Sequence, residues 1–341
     1  MDTHFFLLAD LHVDARWATL AALKAGLAQM QRLDAESPVV INGDLTNLGT
    51  PGQFEAVWTA LAALPQSMPV IASLGNHDVR GPHARTWTNV PTARPAYFTE
   101  TVLPNYRQAY LQPVTGQHRV YFSRVTGGIR WVVLNTEVGL KDAVVCSPAQ
   151  LAWLDRTLTA GEAAGQFNAV LVHQALAGTH WRSNQYGGIG SADAPLKAVL
   201  RRHPGSFIFS GHIHNGLGVC EVIERDFGVC VDQPAYAVSE NGVIGQGLGY
   251  YGTVGPTQVH LAAWDFARGV ALSAYDVTWA RTTLASRLPQ LPAAAAKTAR
   301  GLLARAYDQR KYADPAHADD VAAPAQPLFG PAYRAVVAEF A

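Results

Sequence analysis

The chain has 341 residues, of which 49% are hydrophobic, and its 26 basic and 26 acidic side chains give it no net charge. The balanced charge argues against a nucleic-acid-binding protein, and no apolar run approaches the roughly 20 residues that span a bilayer. The first ten residues lack the basic start and the small-residue cleavage site of a secretory signal, so we expect a cytoplasmic protein. The cysteines form no Cys-x-x-Cys pair, and we expect free thiols at Cys146, Cys220 and Cys230.

Short apolar runs alternate with amphipathic stretches in the first 80 residues. Three runs are apolar on both faces and are therefore predicted to be buried strands: 5–9, 39–41 and 69–73. Apolar residues recur at helical spacing in 20–30 and 51–64, and Pro51 suits the first position of the second helix. This alternation predicts a mostly parallel sheet with right-handed crossovers. Such sheets bind ligands at the carboxyl ends of their strands.

The middle of the chain begins with a segment of little periodicity. Residues 79–117 contain five prolines and are predicted to be either a wall or lid of a site or an ordinary surface excursion. A Gly-Gly pair at 127–128 then predicts a hairpin between 119–125 and 129–134, and 147–150 has the pattern of a helix start. Two more apolar runs are predicted to be buried strands: 169–172 and 207–209.

The composition changes in the C-terminal third. The Gly-rich stretch 242–255 is predicted to be an irregular loop, and 267–269 the turn of a hairpin. Residues 293–306 are Ala-rich and helical in propensity, whereas 315–331 are rich in proline and alanine. We therefore predict two parts of the chain: a main domain, 1–280, and a partly helical C-terminal extension, 281–341. The extension is the expected contact of any homo-oligomer.

Polar side chains that can bind metal ions or move protons stand at the ends of the predicted strands. They are two carboxylates, one amide and five imidazoles: Asp10, Asp44, Asn76, His12, His77, His173, His212 and His214. Imidazole with carboxylate suits zinc, manganese or iron, and no cysteine lies in these motifs to suggest a closed structural zinc site. Because all of these residues follow apolar runs, we interpret them as one site rather than as unrelated loop residues.

The set holds too many donors for one ion, which takes about four to six, so we predict two ions that share a bridging carboxylate. Asp44 is the expected bridge, because its strand lies between those of the other ligand groups. Two metal ions about 3.5–4 Å apart hold a hydroxide that is nucleophilic at neutral pH and clamp the oxygens of a phosphoryl group. An unligated histidine can supply the proton that the leaving oxygen needs.

These motifs resemble the five-block pattern of the calcineurin-like metallophosphoesterases, the superfamily that includes the purple acid phosphatases and the class III cyclic-nucleotide phosphodiesterases. The matching blocks lie within residues 5–214 and are, in chain order, Asp10-x-His12, Gly43-Asp44, Gly75-Asn76-His77-Asp78, His173 and Gly211-His212-Ile213-His214. The resemblance implies a four-layer α/β/β/α sandwich of mixed sheets with a dinuclear centre.

The resemblance also implies a role for each residue of the blocks. Two ligand sets are implied, one for each metal: Asp10, His12, Asp44 and His214, and Asp44, Asn76, His173 and His212. His77 would not be a ligand but would approach the substrate phosphate and assist the leaving group. Asp78 would orient the imidazole of His77, as carboxylates beside histidines often do.

Weaker candidates lie outside the blocks. The loop after His173 has polar side chains that either contact the substrate or belong to a solvated loop: His180, Trp181, Arg182 and Asn184. The guanidinium of Arg182 suits a phosphate oxygen. Glu137 follows another predicted strand, where entry into a helix explains it equally well.

We therefore predict a metal-dependent phosphoesterase, and more specifically a phosphodiesterase that acts on a cyclic nucleotide or another small phosphodiester. A DNA nuclease of the same fold is one alternative, because His173-Gln174 matches the His-Gln pair of repair nucleases, but the neutral charge opposes it. A binding scaffold that has lost its metals is another alternative. Such proteins lose ligands, whereas every block is filled here.

Overall fold

Two mixed β-sheets pack face to face and carry helices on their outer sides. The computed structural model describes residues 2–14, 18–83, 96–116, 118–184 and 188–308. The two sheets meet in one hydrophobic core, where the ring of Phe5 from the first sheet packs edge-on against Trp131 from the second, with centroids 5.0 Å apart. The four-layer α/β/β/α sandwich that the family resemblance implies is therefore confirmed.

The described elements follow the chain in a strand–helix alternation that later gives way to antiparallel strands. The strands are β1 (Thr3–Leu8), β2 (Val39–Asn42), β3 (Val70–Ser73), β4 (Phe122–Thr126), β5 (Ile129–Val133), β6 (Phe167–Leu171), β7 (Phe207–Ser210), β8 (Val222–Arg225), β9 (Gly228–Asp232), β10 (Leu248–Val254), β11 (Gln258–Asp265), β12 (Val270–Ala271) and β13 (Val277–Ala280). The helices are α1 (Thr19–Leu33), α2 (Pro51–Ala62), α3 (Asn76–Arg80), α4 (Leu103–Tyr106), α5 (Pro148–Ala163), α6 (Asp193–Leu200), α7 (Leu284–Arg287) and α8 (Ala293–Asp308).

The parallel strands bring the predicted ligand motifs to one edge of each sheet. The first sheet has the order β12-β11-β10-β1-β2-β3, with β13 paired to β11, and the second has the order β4-β5-β6-β7-β9-β8. Strands β1, β2 and β3 are parallel, as are β5, β6, β7 and β9. Since β2 lies between β1 and β3, the motif that contains Asp44 is central, as the sequence predicted.

Sequence signals for helix starts and hairpins agree with the structure. The hydroxyl of Thr50 caps α2 by accepting from the Gln53 amide, and Ser147 caps α5 in the same way. Strands β4 and β5 form the predicted hairpin across 127–128, and β11 and β12 pair on either side of 267–269. These local elements therefore follow from capping and turn chemistry that can be read directly from the chain.

The prediction of an irregular loop over 242–255 is wrong for its second half. Residues 248–254 form β10, which pairs antiparallel with β1 on one side and with β11 on the other. Its glycines are there for close packing rather than for a turn: a Cβ at Gly252 would lie 2.2 Å from Cζ of Phe5. A strand that needs glycine to pass beside buried aromatic rings has the composition of a loop.

The described part of the proline-containing insert covers an edge of the first sheet. A continuous helical segment runs from Phe98 to Thr115, with α-type geometry in the middle and π-type turns on either side. The hydroxyl of Tyr110 accepts from the amide of Ala72 in β3 at 2.8 Å, and the hydroxyl of Tyr106 donates to the carbonyl of Ala72 at 2.6 Å. These side chains thus satisfy an edge strand that is otherwise open to pairing. Residues 84–95 lie outside the described ranges, so the alternative of a lid stays a prediction.

The C-terminal extension begins as predicted with helices. Helix α8 confirms the helical prediction for 293–306, and it shares a small apolar cluster with α7. Arg225 of β8 anchors it, because Nη1 donates to the carbonyl of Leu303 at 3.0 Å. Residues 309–341, including the Pro- and Ala-rich stretch 315–331, lie outside the described ranges, so the division after residue 280 and the oligomer contact stay predictions.

Two further expectations concern thiols and membranes. The three cysteines are free, as predicted, and two of them, Cys220 and Cys230, are buried. Among the described residues, no helix combines the length and the apolar character that crossing a bilayer requires.

Candidate metal centre

Four of the predicted ligands converge on one point at the carboxyl ends of the strands. Asp10, His12, Asp44 and His214 each offer a donor atom, and these atoms all lie within 4.8 Å of one another. His12 Nε2 is 3.3 Å from Asp44 Oδ2 and 3.1 Å from His214 Nε2. His214 Nε2 is in turn 3.5 Å from Asp10 Oδ1. These are the residues predicted for one of the two metals, and the fold brings them together from β1, β2 and the segment after β7.

The ligands predicted for the other metal lie beside this group. His173 Nε2 is 3.2 Å from Asp44 Oδ2, and its ring centroid is 5.5 Å from that of His212. His212 Nδ1 is 2.8 Å from Asn76 Oδ1. The second set therefore consists of two contacting pairs, Asp44 with His173 and His212 with Asn76, on adjoining strand ends.

Asp44 lies between the two sets. Its Oδ2 faces His12 Nε2 at 3.3 Å and His173 Nε2 at 3.2 Å, one residue from each predicted set. Its Oδ1 accepts the backbone amide of His77 at 2.8 Å. The carboxylate is completely buried and fixed by that hydrogen bond, so Oδ2 is placed where a bridging ligand would be needed.

The backbone is strained at the ligands. Among described residues other than glycine, positive φ angles occur at Asp10, His12, Asp44, Arg182, His212 and His214. Each such residue costs about 1–2 kcal/mol, so the conformation persists only where the surrounding structure imposes it. Five of these six positions are predicted metal ligands and the sixth is a predicted substrate contact. In the described part of the chain, this kind of backbone strain therefore lies at the predicted site.

Hydrogen bonds on the far side of the ligands fix their orientation. His173 Nδ1 is 2.7 Å from the carbonyl of Asn42, which leaves Nε2 to face Asp44. Asn76 Nδ2 donates to Asp142 Oδ1 at 2.9 Å, which turns Asn76 Oδ1 towards His212. Partners of this kind raise the basicity of a ligand and set its tautomer in metalloproteins.

The electrostatics of the centre are dominated by burial and by the mutual effects of its charges. Burial alone would raise the pKa of Asp44, but the positive charge of protonated His173 outweighs burial and holds that pKa well below its usual range. Burial likewise opposes protonation of His173, but the carboxylate of Asp44 outweighs it and raises the pKa of His173 to about 9. The buried carboxylate of Asp44 is therefore stabilised by positive charge next to Oδ2, which either protonated His173 or a metal ion can supply.

The residues present fit a pair of transition-metal ions. Asp44 Oδ2 and His173 Nε2 are buried and face each other, yet neither makes a hydrogen bond with any described residue. Buried polar atoms of this kind are costly unless a ligand satisfies them. The mixed imidazole and carboxylate donors match manganese, iron or zinc better than calcium.

His77 lies next to the predicted metal ligands but is not one of them. Its ring centroid is 4.3 Å from that of His12. Its Nδ1 lies 2.9 Å from the carbonyl of Asn47, and its Nε2 lies 2.5 Å from Arg80 Nη2. Since a guanidinium can only donate, these partners make His77 a neutral imidazole with its proton on Nδ1. Burial, which outweighs the pull of Asp44, lowers the pKa of His77 to about 3.

The predicted contact between Asp78 and His77 needs correction. Both oxygens of Asp78 are already used: Oδ1 accepts from the amide and hydroxyl of Thr46 at 2.8 and 2.6 Å. Oδ2 accepts from the amides of Leu45 and Gly75 at 3.0 and 2.9 Å. Asp78 therefore ties the turn after β3 to the turn after β2, while Asn47 and Arg80 orient His77.

The weaker candidates have other partners. Arg182 Nη2 forms an ion pair with Glu240 Oε2 at 2.5 Å, and Glu240 Oε1 lies 3.2 Å from His214 Nδ1. His180 is buried, with 2% of its surface exposed, which argues against direct contact with a substrate. Asn184 Oδ1 accepts from the amide of Gly178 at 3.2 Å. Glu137 accepts from the amide of Ser147 at 2.6 Å, so it belongs to the start of α5, the second of its two interpretations.

Three residues that support the centre were missed in the sequence. Arg80 contacts His77, Asp142 contacts Asn76, and Glu240 contacts His214. Only Arg80 had a readable signal, because the motif starts a helix and residues three apart share a helix face. Asp142 and Glu240 come from irregular segments after β5 and β9, where nothing in the local sequence indicates a partner.

Comparison with known proteins agrees with this geometry. Residues 3–216 match the sequence model of the calcineurin-like phosphoesterase family, and the chain belongs to that family. Membership of this family indicates a metal-dependent phosphoester hydrolase, and the assembled donors are those that such a centre uses. No curated protein matches the sequence significantly.

Solved structures with the same fold have little sequence in common with this chain. A dimetal phosphatase from Danio rerio is 16% identical with a TM-score of 0.58, and the match covers 82% of this chain and 99% of that one. A purple acid phosphatase from yellow lupin seeds is 15% identical with a TM-score of 0.55, covering 82% of this chain and 53% of that one. The Plasmodium protein GAP50, described as the anchor in the inner membrane complex, is 12% identical with a TM-score of 0.54. That match covers 89% of this chain and 95% of GAP50.

Proposed function

We propose that this member of the calcineurin-like phosphoesterase family is a dinuclear phosphodiesterase that acts on a small phosphodiester, such as a cyclic nucleotide. The observation that carries the proposal is the position of Asp44 Oδ2, 3.3 Å from His12 Nε2 and 3.2 Å from His173 Nε2. A carboxylate oxygen between histidines of two ligand sets is suited to bridge two cations.

The residues divide into ligands and groups that orient them. The first metal would be held by Asp10, His12, Asp44 and His214, and the second by Asp44, Asn76, His173 and His212. When bound, such ions supply positive charge for the phosphoryl oxygens and lower the pKa of a water molecule. The protein itself excludes bulk water from the buried ligands, fixes Asn76 through Asp142, and holds His77 against the centre through its backbone bond to Asp44.

The charge around the centre supports a diester rather than a monoester. Arg80 and Arg182, the guanidinium groups next to it among the described residues, are paired with Asp142 and Glu240. They therefore add no net positive charge to that of the metals. A monoester carries close to two negative charges at neutral pH, whereas a diester carries one and needs less compensation.

A comparison of two model substrates tests the proposal. We expect the manganese-loaded protein to hydrolyse bis(p-nitrophenyl) phosphate in preference to p-nitrophenyl phosphate, and Asp44→Ala to abolish both activities. Asp2→Ala serves as the control that keeps activity, because this exposed carboxylate precedes β1, at the opposite end of the strand from Asp10. Wild-type turnover by Asp44→Ala would refute the dinuclear mechanism, and a preference for the monoester would refute only the choice of a diester.

A metal-free scaffold is the second candidate. The Plasmodium structure described as an anchor shows that the fold is shared with a protein named for attachment rather than for hydrolysis. The complete set of predicted metal ligands in this chain favours the enzyme over the metal-free scaffold. Protein that stays free of metal after expression and reconstitution with manganese and iron would favour the scaffold.

A further inference from the structure

Arg80 is placed where it can reach both the metal centre and a bound substrate. We propose that Arg80 is a catalytic residue that donates a hydrogen bond to a non-bridging oxygen of the substrate phosphate, and that Asp142 positions it. The inference rests on the proposed function, since it takes the ligand of the centre to be a phosphate ester.

Helix α3 sets Arg80 beside His77. The two residues are three apart in Asn76–Arg80, so their side chains lie on the same face of the helix. Arg80 Nη2 is 2.5 Å from His77 Nε2, and His77 Nδ1 is held by the carbonyl of Asn47 at 2.9 Å. The guanidinium therefore occupies the one imidazole nitrogen of His77 that could face a ligand.

Asp142 holds the other end of the guanidinium. Its Oδ1 accepts from Arg80 Nη1 at 2.6 Å and from Asn76 Nδ2 at 2.9 Å. One carboxylate oxygen thus connects Arg80 with a predicted metal ligand, and it fixes the distance between them. The side chain of Asp142 is 7% exposed and that of Arg80 is 15% exposed, so the pair is sheltered while part of the guanidinium still meets solvent.

The bond from Arg80 to His77 is the one that a substrate can replace. A neutral imidazole nitrogen is a weaker acceptor than a phosphate oxygen, whose bonds to a guanidinium are charge-assisted and roughly twice as strong. Exchange of partners would keep Nη1 on Asp142, give Nη2 an anionic oxygen, and free His77 Nε2 to face the ester. A guanidinium fork suits this arrangement, because it can keep one partner while it binds the second.

The other arginine near the centre is less suited to this role. Arg182 Nη2 is engaged with the carboxylate of Glu240 at 2.5 Å, and that carboxylate is itself bound to His214. Removing Arg182 from this ion pair would break a bond between two full charges. Arg80 would instead give up a bond to an uncharged ring, so its exchange costs less.

Binding of inorganic phosphate to the manganese-loaded protein tests the role of Arg80 without requiring turnover. We expect calorimetry to show phosphate affinity at least about tenfold weaker in Arg80→Ala than in wild type, with an unchanged metal content. Arg201→Ala is the matched control, because Arg201 is also paired with an aspartate, Asp226 at 2.9 Å, on another surface. In active preparations, Arg80→Ala should also raise KM for the diester.

Two results would overturn the proposal. Unchanged phosphate affinity in Arg80→Ala would show that the guanidinium does not touch the ligand. Loss of metal together with phosphate binding would show that Arg80 acts through Asp142 on Asn76 alone. If Arg80→Ala does not fold, phosphate binding is measured with Arg80→Lys instead. A lysine cannot bind Asp142 and phosphate at the same time in one planar fork, so this variant should also bind phosphate more weakly. A wild type that binds phosphate through Arg80 but hydrolyses no ester would refute the proposed function and the catalytic role of Arg80, and would leave only the contact between Arg80 and phosphate standing.

Discussion

The carboxylate of Glu240 lies behind His214, with Oε1 3.2 Å from His214 Nδ1. On the other side of the ring, His214 Nε2 points at Asp10 Oδ1, 3.5 Å away. The hydrogen bond from His214, followed by the ion pair with Arg182, lowers the pKa of Glu240 to about 2. Glu240 is therefore ionised at neutral pH, and it is placed to fix the tautomer of His214, a predicted metal ligand.

Replacing Glu240 with glutamine should weaken metal binding. We expect Glu240→Gln to bind manganese about 10–100-fold less tightly than wild type, because the neutral amide no longer raises the basicity of His214. A competitive chelator titration measures the difference. Glu36→Gln, at an exposed glutamate, is the control and should leave the affinity unchanged. Equal affinities in the two variants would mean that Glu240 does not support the centre.

A methyl group at Gly75 should disrupt the centre. An added Cβ would lie 2.1 Å from Asp44 Oδ1 and 2.2 Å from the amide nitrogen of Asp44, so the carboxylate that is predicted to bridge the metals must move. We expect Gly75→Ala to lose bound metal and activity together. Gly52→Ala is the matched control, since no atom lies within 4 Å of the added Cβ on α2. That change should raise the free energy of unfolding by about 0.4–1 kcal/mol, and metal content measured in both variants gives the comparison.

The predicted ligands could be found in the sequence because each follows an apolar strand. Asp10, Asp44 and Asn76 end parallel neighbours, and the order of those strands follows from short crossovers through α1 and α2. The sandwich and the convergence of the ligands were therefore available from periodicity and from the resemblance together. The strained backbone was not, because positive φ at a residue other than glycine leaves no mark in the composition.

The contacts that orient the predicted ligands could not be predicted from the sequence. Asp142 and Glu240 lie in segments without periodicity, and each meets its partner, Asn76 or His214, only after both sheets have formed. The role of Asp78 was misjudged for a related reason. Its sequence neighbour is His77, but its carboxylate instead accepts hydrogen bonds from the amides of Leu45 and Thr46. The pairing of β2 with β3 brings these amides close to Asp78.

Metal binding should depend on pH through His173. Because Asp44 raises its pKa to about 9, His173 carries a proton at neutral pH in the metal-free protein, and that proton must leave when a metal binds. We therefore expect manganese affinity to increase as the pH rises from about 6 to about 8, with release of a proton. Calorimetry in buffers of different ionisation enthalpy counts the proton. Affinity that does not change over this range would contradict the assignment of His173 as a ligand.

The tyrosines that cover β3 should matter for stability and not for chemistry. The hydroxyl of Tyr110 accepts from the buried amide of Ala72 at 2.8 Å and lies 3.2 Å from the carbonyl of Val70. Tyr110→Phe leaves that amide without its partner, so we expect a loss of about 1–3 kcal/mol in the free energy of unfolding by urea. Tyr251→Phe is the control: its hydroxyl reaches Asp34 at 2.8 Å in a partly exposed position, and water can replace the bond. Equal losses of stability in the two variants would show that the insert does not protect this edge of the sheet. Unchanged activity of folded Tyr110→Phe would show that Tyr110 stabilises the fold without taking part in the chemistry of the metal centre.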